Sequence, residues 1–211
     1  MQVIFSLLFL ITPGYFFSQS HESCRLWYDK PASDWESETL PIGNGRMGAM
    51  ICGGIYSDTI QFNEQSLWSG DNNWDGEYLT GDHGFGSYRN FGEIIIDFEN
   101  SDTATKYKRS LDLTTGIHRT EFIQSGVSFT REAFASYPDQ VIVIKYTADK
   151  ERNYSGAIRL TSAQGEISHT SDLAVMFDGV MPNKLKYAAM VRVLYEGGSV
   201  AADSSGRIFN N

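Results

Sequence analysis

Two short segments of the sequence place polar and aromatic side chains close enough together to bind a ligand. Residues 61–70 read QFNEQSLWSG and bring Asn63, Glu64 and Trp68 to the end of a predicted strand. A sugar site uses an amide, a carboxylate and an indole, because hydroxyls hydrogen-bond to the polar groups while the apolar sugar face lies on the ring. The same residues also fit a turn at the end of a strand with a buried tryptophan, and the spacing alone favours that turn.

The second segment, residues 40–54, reads LPIGNGRMGAMICGG and is rich in glycine. Its three closely spaced glycines are Gly43, Gly45 and Gly48. They allow backbone conformations forbidden to other residues, which predicts a tight turn that holds Asn44 and Arg46 before a strand. A GxGxxG dinucleotide site is disfavoured, because that fingerprint opens a helix whereas the residues after Gly48 have a strand pattern.

Residues 71–82, DNNWDGEYLTGD, have the register of a calcium-binding loop. Asp71, Asn73 and Asp75 occupy alternate positions. The twelfth position is Asp82, where a bidentate glutamate is expected, and no amphipathic helices flank the loop, so a solvated turn is favoured over calcium. The two cysteines and four histidines also lack the spacing of a zinc site. We therefore predict no metal and no cofactor.

Glycoside hydrolysis requires two carboxyl groups on opposite sides of the scissile bond. The acidic candidates near predicted strand ends and turns are Glu64, Asp71, Asp75, Glu93 and Glu121. All of them are equally explained as strand-edge or turn charges. There is no GxSxG nucleophile motif, and the histidines have no identifiable partner. The residues themselves therefore assign no catalytic group.

The negative charge of the chain makes some classes of binding partner unfavourable. The 211 residues include 17 Lys plus Arg and 26 Asp plus Glu, a formal charge of -9. Because the basic residues are scattered singly, we expect neither nucleic acid nor an anionic membrane as a partner. Hydrophobic residues make up 41% of the chain and there are 5 prolines, which is the profile of a packed globular protein.

The N-terminus has the pattern of a targeting segment. Residues 3–11 form an apolar run that is too short to span a bilayer, and a Pro-Gly pair and small residues follow it. This predicts a signal peptide over residues 1–20 and a secreted or periplasmic protein. No Lys or Arg lies near Met1, which leaves a buried N-terminal strand as the alternative.

The chemical state of the two cysteines has more than one interpretation. An exported chain could join Cys24 and Cys52 in one disulfide. The apolar run around Cys52 favours instead a buried thiol that acts as a small hydrophobic residue. A lipid anchor on Cys24 is a weaker alternative to the signal peptide, because no Leu and small-residue box leads into that cysteine.

Alternating apolar and polar residues predict strands along most of the chain after residue 45. On one such segment the residues of one face are Val127, Phe129, Arg131 and Ala133. Residues 141–146 (VIVIKY) and 187–195 (YAAMVRVLY) are rich in β-branched and aromatic residues and are further strands. Turn signals such as Ser125-Gly126 and Pro182-Asn183 separate the patterns, and no helix of four turns is predicted.

We therefore predict one all-β domain over residues 21–211, a large antiparallel β-sandwich of about eight to ten strands. After Tyr195 the chain is mostly polar and shows no further clear strand. A sandwich that ends there would lack its last strands.

Four segments are distinctive as complete motifs. They are LWYDKPASDWESETLPIGNGRMGAMICGG (26–54), IQFNEQSLWSGDNNWDGEY (60–78), GFGSYRNFGEIIIDF (84–98) and YKRSLDLTTGIHRTEFIQSGVSFTREAFASYPDQVIVIKY (107–146). In this order they resemble the N-terminal domain of glycoside hydrolase family 95, whose typical members are α-L-fucosidases. The resemblance runs from about residue 26 to residue 198 and implies a β-sandwich of the super-sandwich type.

The resemblance also implies an exported enzyme that acts on fucosylated glycans through a helical toroid joined to the sandwich. In that family a Glu on the toroid is the general acid, and Asn and Asp side chains polarise the attacking water. No position of this chain matches those residues, so the resemblance implies no catalytic residue here and a chain shortened before the toroid. The candidates for the surface that faces the toroid are Asn44, Arg46, Asn63, Glu64 and Trp68.

Two other interpretations stay open. One is a free-standing carbohydrate-binding module that binds sugar weakly through Trp68, Trp74 or Tyr78. The other is a remnant without function.

Overall fold

The computed structural model describes residues 24–70, 86–151, 154–171, 173–203 and 206–210. The predicted signal peptide and the calcium-like loop, with Trp74 and Tyr78, lie outside these residues. Within them the chain is almost entirely β-strand, which confirms the predicted all-β class. This described part contains no helix of the length and apolar character that a bilayer crossing needs.

The described residues form fifteen strands in three antiparallel sheets. The strands are β1 (Arg25–Tyr28), β2 (Leu40–Gly43), β3 (Met47–Ile51), β4 (Ser57–Glu64), β5 (Gly92–Phe98), β6 (Ala104–Asp112), β7 (Ile117–Gln124), β8 (Val127–Ser136), β9 (Val141–Ala148), β10 (Gly156–Ser162), β11 (His169–Ser171), β12 (Ala174–Val180), β13 (Lys186–Arg192), β14 (Ser199–Asp203) and β15 (Gly206–Asn210). The strand orders are β1-β6-β7-β8-β9, β14-β15-β10-β5-β4-β3-β2 and β11-β12-β13. The count exceeds the prediction because elements as short as β1 and β11 have too few residues to show an alternation.

A row of apolar side chains crosses the seven-stranded sheet. Cross-strand neighbours along it are Leu40, Ile51, Ile60, Ile94 and Leu160, which come from β2, β3, β4, β5 and β10. Because the side-chain period of a strand is two, a shift of one residue in any of these pairings would turn apolar residues toward solvent. Burial of this row therefore fixes the register of neighbouring strands.

The two smaller sheets cover this row from the same side. The five-stranded sheet covers the end at Leu40, where Leu111 and Ala133 join the buried cluster. The three-stranded sheet covers the other end, where Val175 and Phe177 pack against Leu160. The result is a two-layer sandwich with the seven-stranded sheet as one layer, which confirms the predicted architecture.

Strand β8 follows the alternation predicted from its sequence. Its buried residues are Val127, Phe129, Arg131 and Ala133. Phe134 on the opposite face is exposed. The turn before the strand, Ser125-Gly126, has φ angles of 53° and 70°, which is typical of the type I′ turn of a two-residue hairpin.

The region after Tyr195 corrects one prediction. Strands β14 and β15 pair with each other, and β15 joins β10 in the seven-stranded sheet, so the expectation of no further strand beyond Tyr195 was wrong. The β14 sequence SVAAD consists mainly of small residues with weak strand preference. Pairing with a neighbouring strand overrides such a preference.

Cys52 is a half-buried thiol and takes part in no disulfide. This confirms the thiol interpretation, although the side chain is less buried than expected. Burial, followed by the charge of Asp58, raises the pKa of this thiol to about 11. Cys52 is therefore protonated and weakly nucleophilic at neutral pH.

Arg131 of β8 joins the two main sheets, with its side chain inside the sandwich at 4% exposure. It donates hydrogen bonds to the carbonyl oxygens of Gly54 and Ile55 in the β3–β4 connection, the latter over 3.0 Å. Its Nη1 lies 3.4 Å from the Asp58 carboxylate, and the ring centre of Phe98 lies 4.2 Å from its guanidinium carbon. A buried charge needs such partners because its transfer out of water is costly.

Replacement of Arg131 by alanine is expected to destabilise the fold by about 3–5 kcal/mol, because it leaves Asp58 buried without its counter-charge. Arg119 is the matched control, since its ion pair with Glu132 is open to solvent, and Arg119→Ala should cost less than about 1 kcal/mol. Urea unfolding of both variants measures the difference. Equal losses of free energy would contradict the role assigned to Arg131.

A small cavity lies beside this ion pair. Its volume is about 10 Å³, and His118 of β7 lines it together with Asp58 and Tyr146. This is room for about one water molecule and not for a sugar. His118 is 2% exposed, and its Nε2 has no hydrogen-bond partner within the described structure. Burial, with a smaller contribution from the charge of Arg109, lowers the pKa of His118 to about 4.

Acidification is expected to destabilise the fold through His118. Its pKa is about 4 in the folded state and 6.5 for an ordinary histidine, so the unfolded state binds more protons between these values. Stability is therefore lost as the pH falls through this range, by up to about 3 kcal/mol. Urea unfolding as a function of pH should show this loss in the wild type.

In His118→Phe this component should be absent, because the ring cannot take up a proton. His169 is exposed, so His169→Gln should keep the pH dependence of the wild type. A His118→Phe variant that loses stability with acid as steeply as the wild type would show that the loss has another origin.

Candidate functional site

The turn between β2 and β3 is built around the side chain of Asn44. Its Oδ1 accepts hydrogen bonds from the backbone N–H groups of Arg46 (3.0 Å) and Met47 (2.8 Å), as asparagine does in tight turns. Its Nδ2 donates to the carbonyl of Ser136, at the end of β8, over 2.8 Å. Of the three glycines predicted to shape this segment, Gly45 has a left-handed φ of 89°. One side chain thus sets the turn and ties it to the opposite sheet.

The strand register brings Arg46 to Glu64. Met47 of β3 is the cross-strand partner of Glu64 at the end of β4, so the residue before Met47 lies beside that carboxylate. Arg46 Nε donates to Glu64 Oε1 over 2.9 Å. The Gln65 N–H donates to the carbonyl of Arg46 over 3.0 Å. Two residues from separate sequence motifs therefore form one ion pair.

Glu64 is held in its ionised form. Ser66 donates to Glu64 Oε2 through its backbone N–H, over 2.9 Å, and through its hydroxyl. Partial burial raises the pKa of Glu64, but the hydrogen bonds from Ser66 and Arg46 outweigh it, and the net shift is downward. A carboxyl group with a lowered pKa is a poor general acid near neutral pH. The geometry therefore suits Glu64 to fixing the turn and not to proton transfer.

Asn63 lies beside this ion pair, opposite Gly48 of β3. Its Oδ1 accepts a hydrogen bond from the backbone N–H of the next residue, Glu64, over 2.8 Å. Both polar side chains that the sequence suggested for sugar hydroxyls are thus engaged within their own turn.

Trp68 lies on the turn that follows β4, where its backbone forms an antiparallel bridge with Tyr88. The two ring centres are 5.0 Å apart and the planes meet at 86°. Trp68 is 38% exposed and Tyr88 is 60% exposed, so Trp68 is not the buried tryptophan of the alternative prediction. Tyr88 has no local sequence signal as a site residue, because backbone pairing between separate segments brings the two rings together.

Asn183, in the connection between β12 and β13, fixes the backbone at Trp68. Its Nδ2 donates to the carbonyls of Trp68 (2.8 Å) and Gly70 (2.7 Å). Leu67 is 1% exposed and belongs to the core beneath the three-stranded sheet. Since 115 residues separate Asn183 from Trp68, the only local sequence signal of this contact was the predicted Pro182-Asn183 turn.

The acidic candidates that lie in the described structure do not converge. Glu93 is in β5 opposite Gln61, within the seven-stranded sheet. Glu121 is in β7 opposite Lys108, within the five-stranded sheet. Glu64 is bound to Arg46 at the end of β4. Nor do the described side chains include a group of three or more His, Cys, Asp or Glu placed to hold a metal ion.

The fold and these motifs define a class of protein. The sequence matches the model of the glycosyl hydrolase family 65 N-terminal domain over residues 26–82 and 73–209. The chain belongs to this family of N-terminal domains. The matched residues form the sandwich described above, and they include the Arg46–Glu64 pair and the Trp68–Tyr88 pair.

The relatives indicate the kind of glycoside hydrolase. Alpha-L-fucosidase 2 of Arabidopsis thaliana is 30% identical over 177 residues, which are 70% of this chain and 20% of that protein. Probable alpha-fucosidase A of Aspergillus niger is 27% identical over 215 residues, 84% of this chain and 27% of that protein. The same-named protein of Aspergillus oryzae is 30% identical over 152 residues.

The chain thus spans 20% and 27% of the length of the first two relatives. The resemblance to the N-terminal domain of a fucosidase-like glycoside hydrolase is confirmed. The family model that matches is named for glycosyl hydrolase family 65, whereas the sequence motifs resemble glycoside hydrolase family 95. The relatives are named as fucosidases, which agrees with the family that the motifs indicate.

Replacement of Asn44 by alanine is expected to destabilise the chain by about 2 kcal/mol, because it removes three hydrogen bonds of roughly 0.5–1.5 kcal/mol each. Asn44→Asp is the matched control. It keeps an oxygen for the Arg46 and Met47 amides, but its second oxygen replaces the donor and faces the Ser136 carbonyl, so it should cost about half as much or more. Urea unfolding compares the two variants. An Asn44→Asp variant as stable as the wild type would contradict the role given to the contact with Ser136.

Proposed function

We propose that this chain is the non-catalytic N-terminal domain of an α-L-fucosidase-like enzyme, and that the end of the sandwich formed by the β2–β3 turn and the β4 terminus faces its catalytic domain. The residues of this surface are Asn44, Arg46, Asn63, Glu64 and Trp68. The whole enzyme would be exported and would act on fucosylated glycans by inversion at a toroid domain. The chain itself would contribute scaffold and part of the rim of the cleft.

The Arg46–Glu64 ion pair is the observation on which this proposal rests. The Arg46 side chain is 56% exposed whereas Glu64 is 15% exposed, so the carboxylate holds the guanidinium in place at the surface. Interfaces between domains of one chain are more polar than protein cores, and arginine with its five donors suits such a surface. The turn that presents it is fixed by Asn44 to both sheets, which makes it a firm support for a second domain.

The absence of catalysis is supported by the state of the carboxyl groups. An inverting glycosidase needs a carboxyl with a raised pKa and a second carboxylate about 6.5–9.5 Å away. Among the described candidates Glu64 has a lowered pKa, and Glu93 and Glu121 lie in different sheets. The purified chain should therefore release no product from an aryl α-L-fucoside, and hydrolysis at a measurable rate would refute this part of the proposal.

Docking is tested with a chimera in which residues 26–209 replace the matching segment of the Arabidopsis thaliana relative. We expect the chimera to hydrolyse an aryl α-L-fucoside and Arg46→Ala to lower its kcat/KM several-fold and its melting temperature, because a positioned donor at the domain contact is lost. Arg119→Ala is the control, since it breaks an exposed ion pair of the five-stranded sheet. In the isolated chain each variant should cost less than about 1 kcal/mol.

Comparison of the chimera with the isolated chain separates an effect on domain docking from an effect on local stability. An Arg46→Ala chimera that behaves like the Arg119→Ala chimera would refute the proposed docking surface. An inactive, poorly folded chimera in which neither variant changes anything would favour the remnant interpretation instead.

A further inference from the structure

The Trp68–Tyr88 pair forms a right-angled corner of two exposed rings. The ring centres lie 5.0 Å apart with the planes at 86°, and the two side chains are 38% and 60% exposed. Single exposed aromatic residues are common and need no explanation. Two rings held edge to face at the surface are different, because their planes meet at nearly a right angle while both side chains stay exposed.

The backbone beneath this corner is firmly held. The Ser69 N–H donates to the carbonyl of Ser87 over 3.1 Å, and the Arg89 N–H donates to the carbonyl of Leu67 over 3.1 Å. The Ser87 N–H donates in turn to the hydroxyl of Ser69 over 3.0 Å. Both rings therefore stand on one short two-stranded ladder.

A close approach of the two segments reinforces that ladder. Gly86 has a φ of 68°, and a Cβ atom placed on it would lie 2.0 Å from the backbone nitrogen of Gly70, so no larger residue fits there. Asn183 holds the carbonyls of Trp68 and Gly70 from the other side. The corner thus exists before a ligand arrives, which reduces the ordering cost of binding.

We propose that Trp68 and Tyr88 bind one neutral pyranose ring of a glycan, with an apolar C–H face of the sugar on one ring and the sugar edge against the other. A pyranose is apolar on its faces and hydroxylated at its edge, and Tyr88 has both an apolar ring and a phenolic hydroxyl to meet these two parts. A chain with a formal charge of -9 repels acidic sugars and so favours a neutral one.

The identity of the sugar rests on the proposed function. A 6-deoxy pyranose such as fucose carries a methyl group in place of a hydroxymethyl group, which enlarges its apolar area and suits an aromatic corner. Glu64 and Asn63 are not part of this site, since their oxygens accept hydrogen bonds within their own turn. The corner therefore differs from the Asn63–Glu64–Trp68 site that the sequence suggested.

The test is a titration of the full chain with methyl α-L-fucopyranoside, followed by saturation-transfer NMR and calorimetry. We expect saturable binding in the millimolar range, with the strongest transfer to the protons of the apolar face. Trp68→Ala and Tyr88→Ala should each weaken binding by about tenfold or more, whereas Trp68→Phe should keep part of the affinity.

Trp35 supplies the matched control, because it is 55% exposed and lies outside the corner. Trp35→Ala should bind as the wild type does. Melting temperatures show whether each variant is folded, and Trp68→Phe tests the site if Trp68→Ala does not fold. An absence of saturable binding by the folded wild type, or equal binding by wild type and Tyr88→Ala, overturns the proposal.

The chimera separates this proposal from the docking proposal. Sugar binding by the isolated chain together with an Arg46→Ala chimera that is unaffected supports the corner and refutes the docking surface. An Arg46→Ala chimera with lowered activity, together with no sugar binding by the isolated chain, supports the docking surface and refutes the corner. If Trp68→Ala and Tyr88→Ala disrupt the chimera but the isolated wild type binds no sugar, the corner is a domain contact and the proposal is wrong.

Discussion

The contacts of β8 with the opposite sheet determine where the β2–β3 turn of the proposed surface lies. Arg131 of this strand donates to carbonyls of the β3–β4 connection. Five positions further along the same strand, the carbonyl of Ser136 accepts a hydrogen bond from the side-chain amide of Asn44. Five residues of strand span about 17 Å. Two contacts this far apart on one strand fix both the separation of the sheets and their relative rotation, which neither contact could do alone.

The strands and their buried faces could be predicted from the sequence, whereas the pairing of distant strands could not. The alternation of β8 already placed Arg131 on the same face as Phe129, and a charged residue on a buried face implies a buried partner. The partners themselves, the carbonyls of Gly54 and Ile55, leave no trace in local sequence. Likewise Asn44, Arg46 and Glu64 were recognised individually, whereas their contact follows from the pairing of Met47 with Glu64. Non-local register is set by burial of a whole row of side chains, and no single segment encodes it.

The parts that sequence reasoning missed share one physical cause. Strand β14 has few strongly strand-forming residues, and Tyr88 and Asn183 contact Trp68 only through the folded chain. In each case tertiary contact decides the outcome and local preference does not. The turns behave in the opposite way, because glycine and asparagine determine the backbone locally. Gly45 and Ser125-Gly126 could therefore be placed before any pairing was known.

Each of the three sheets holds one part of the proposed surface. The seven-stranded sheet supplies the Arg46–Glu64 pair, and the five-stranded sheet anchors its turn through Ser136. The three-stranded sheet secures Trp68 through Asn183, while the buried Leu67 donates its N–H to the carbonyl of Glu64 over 3.1 Å. That last bond joins the polar turn to the aromatic corner within a few residues. If both proposals hold, only the three residues between Glu64 and Trp68 separate the docking surface from the sugar site along the chain. The hydrogen bond from Leu67 to Glu64 closes that short connection, so a change in the polar turn is expected to reach the corner.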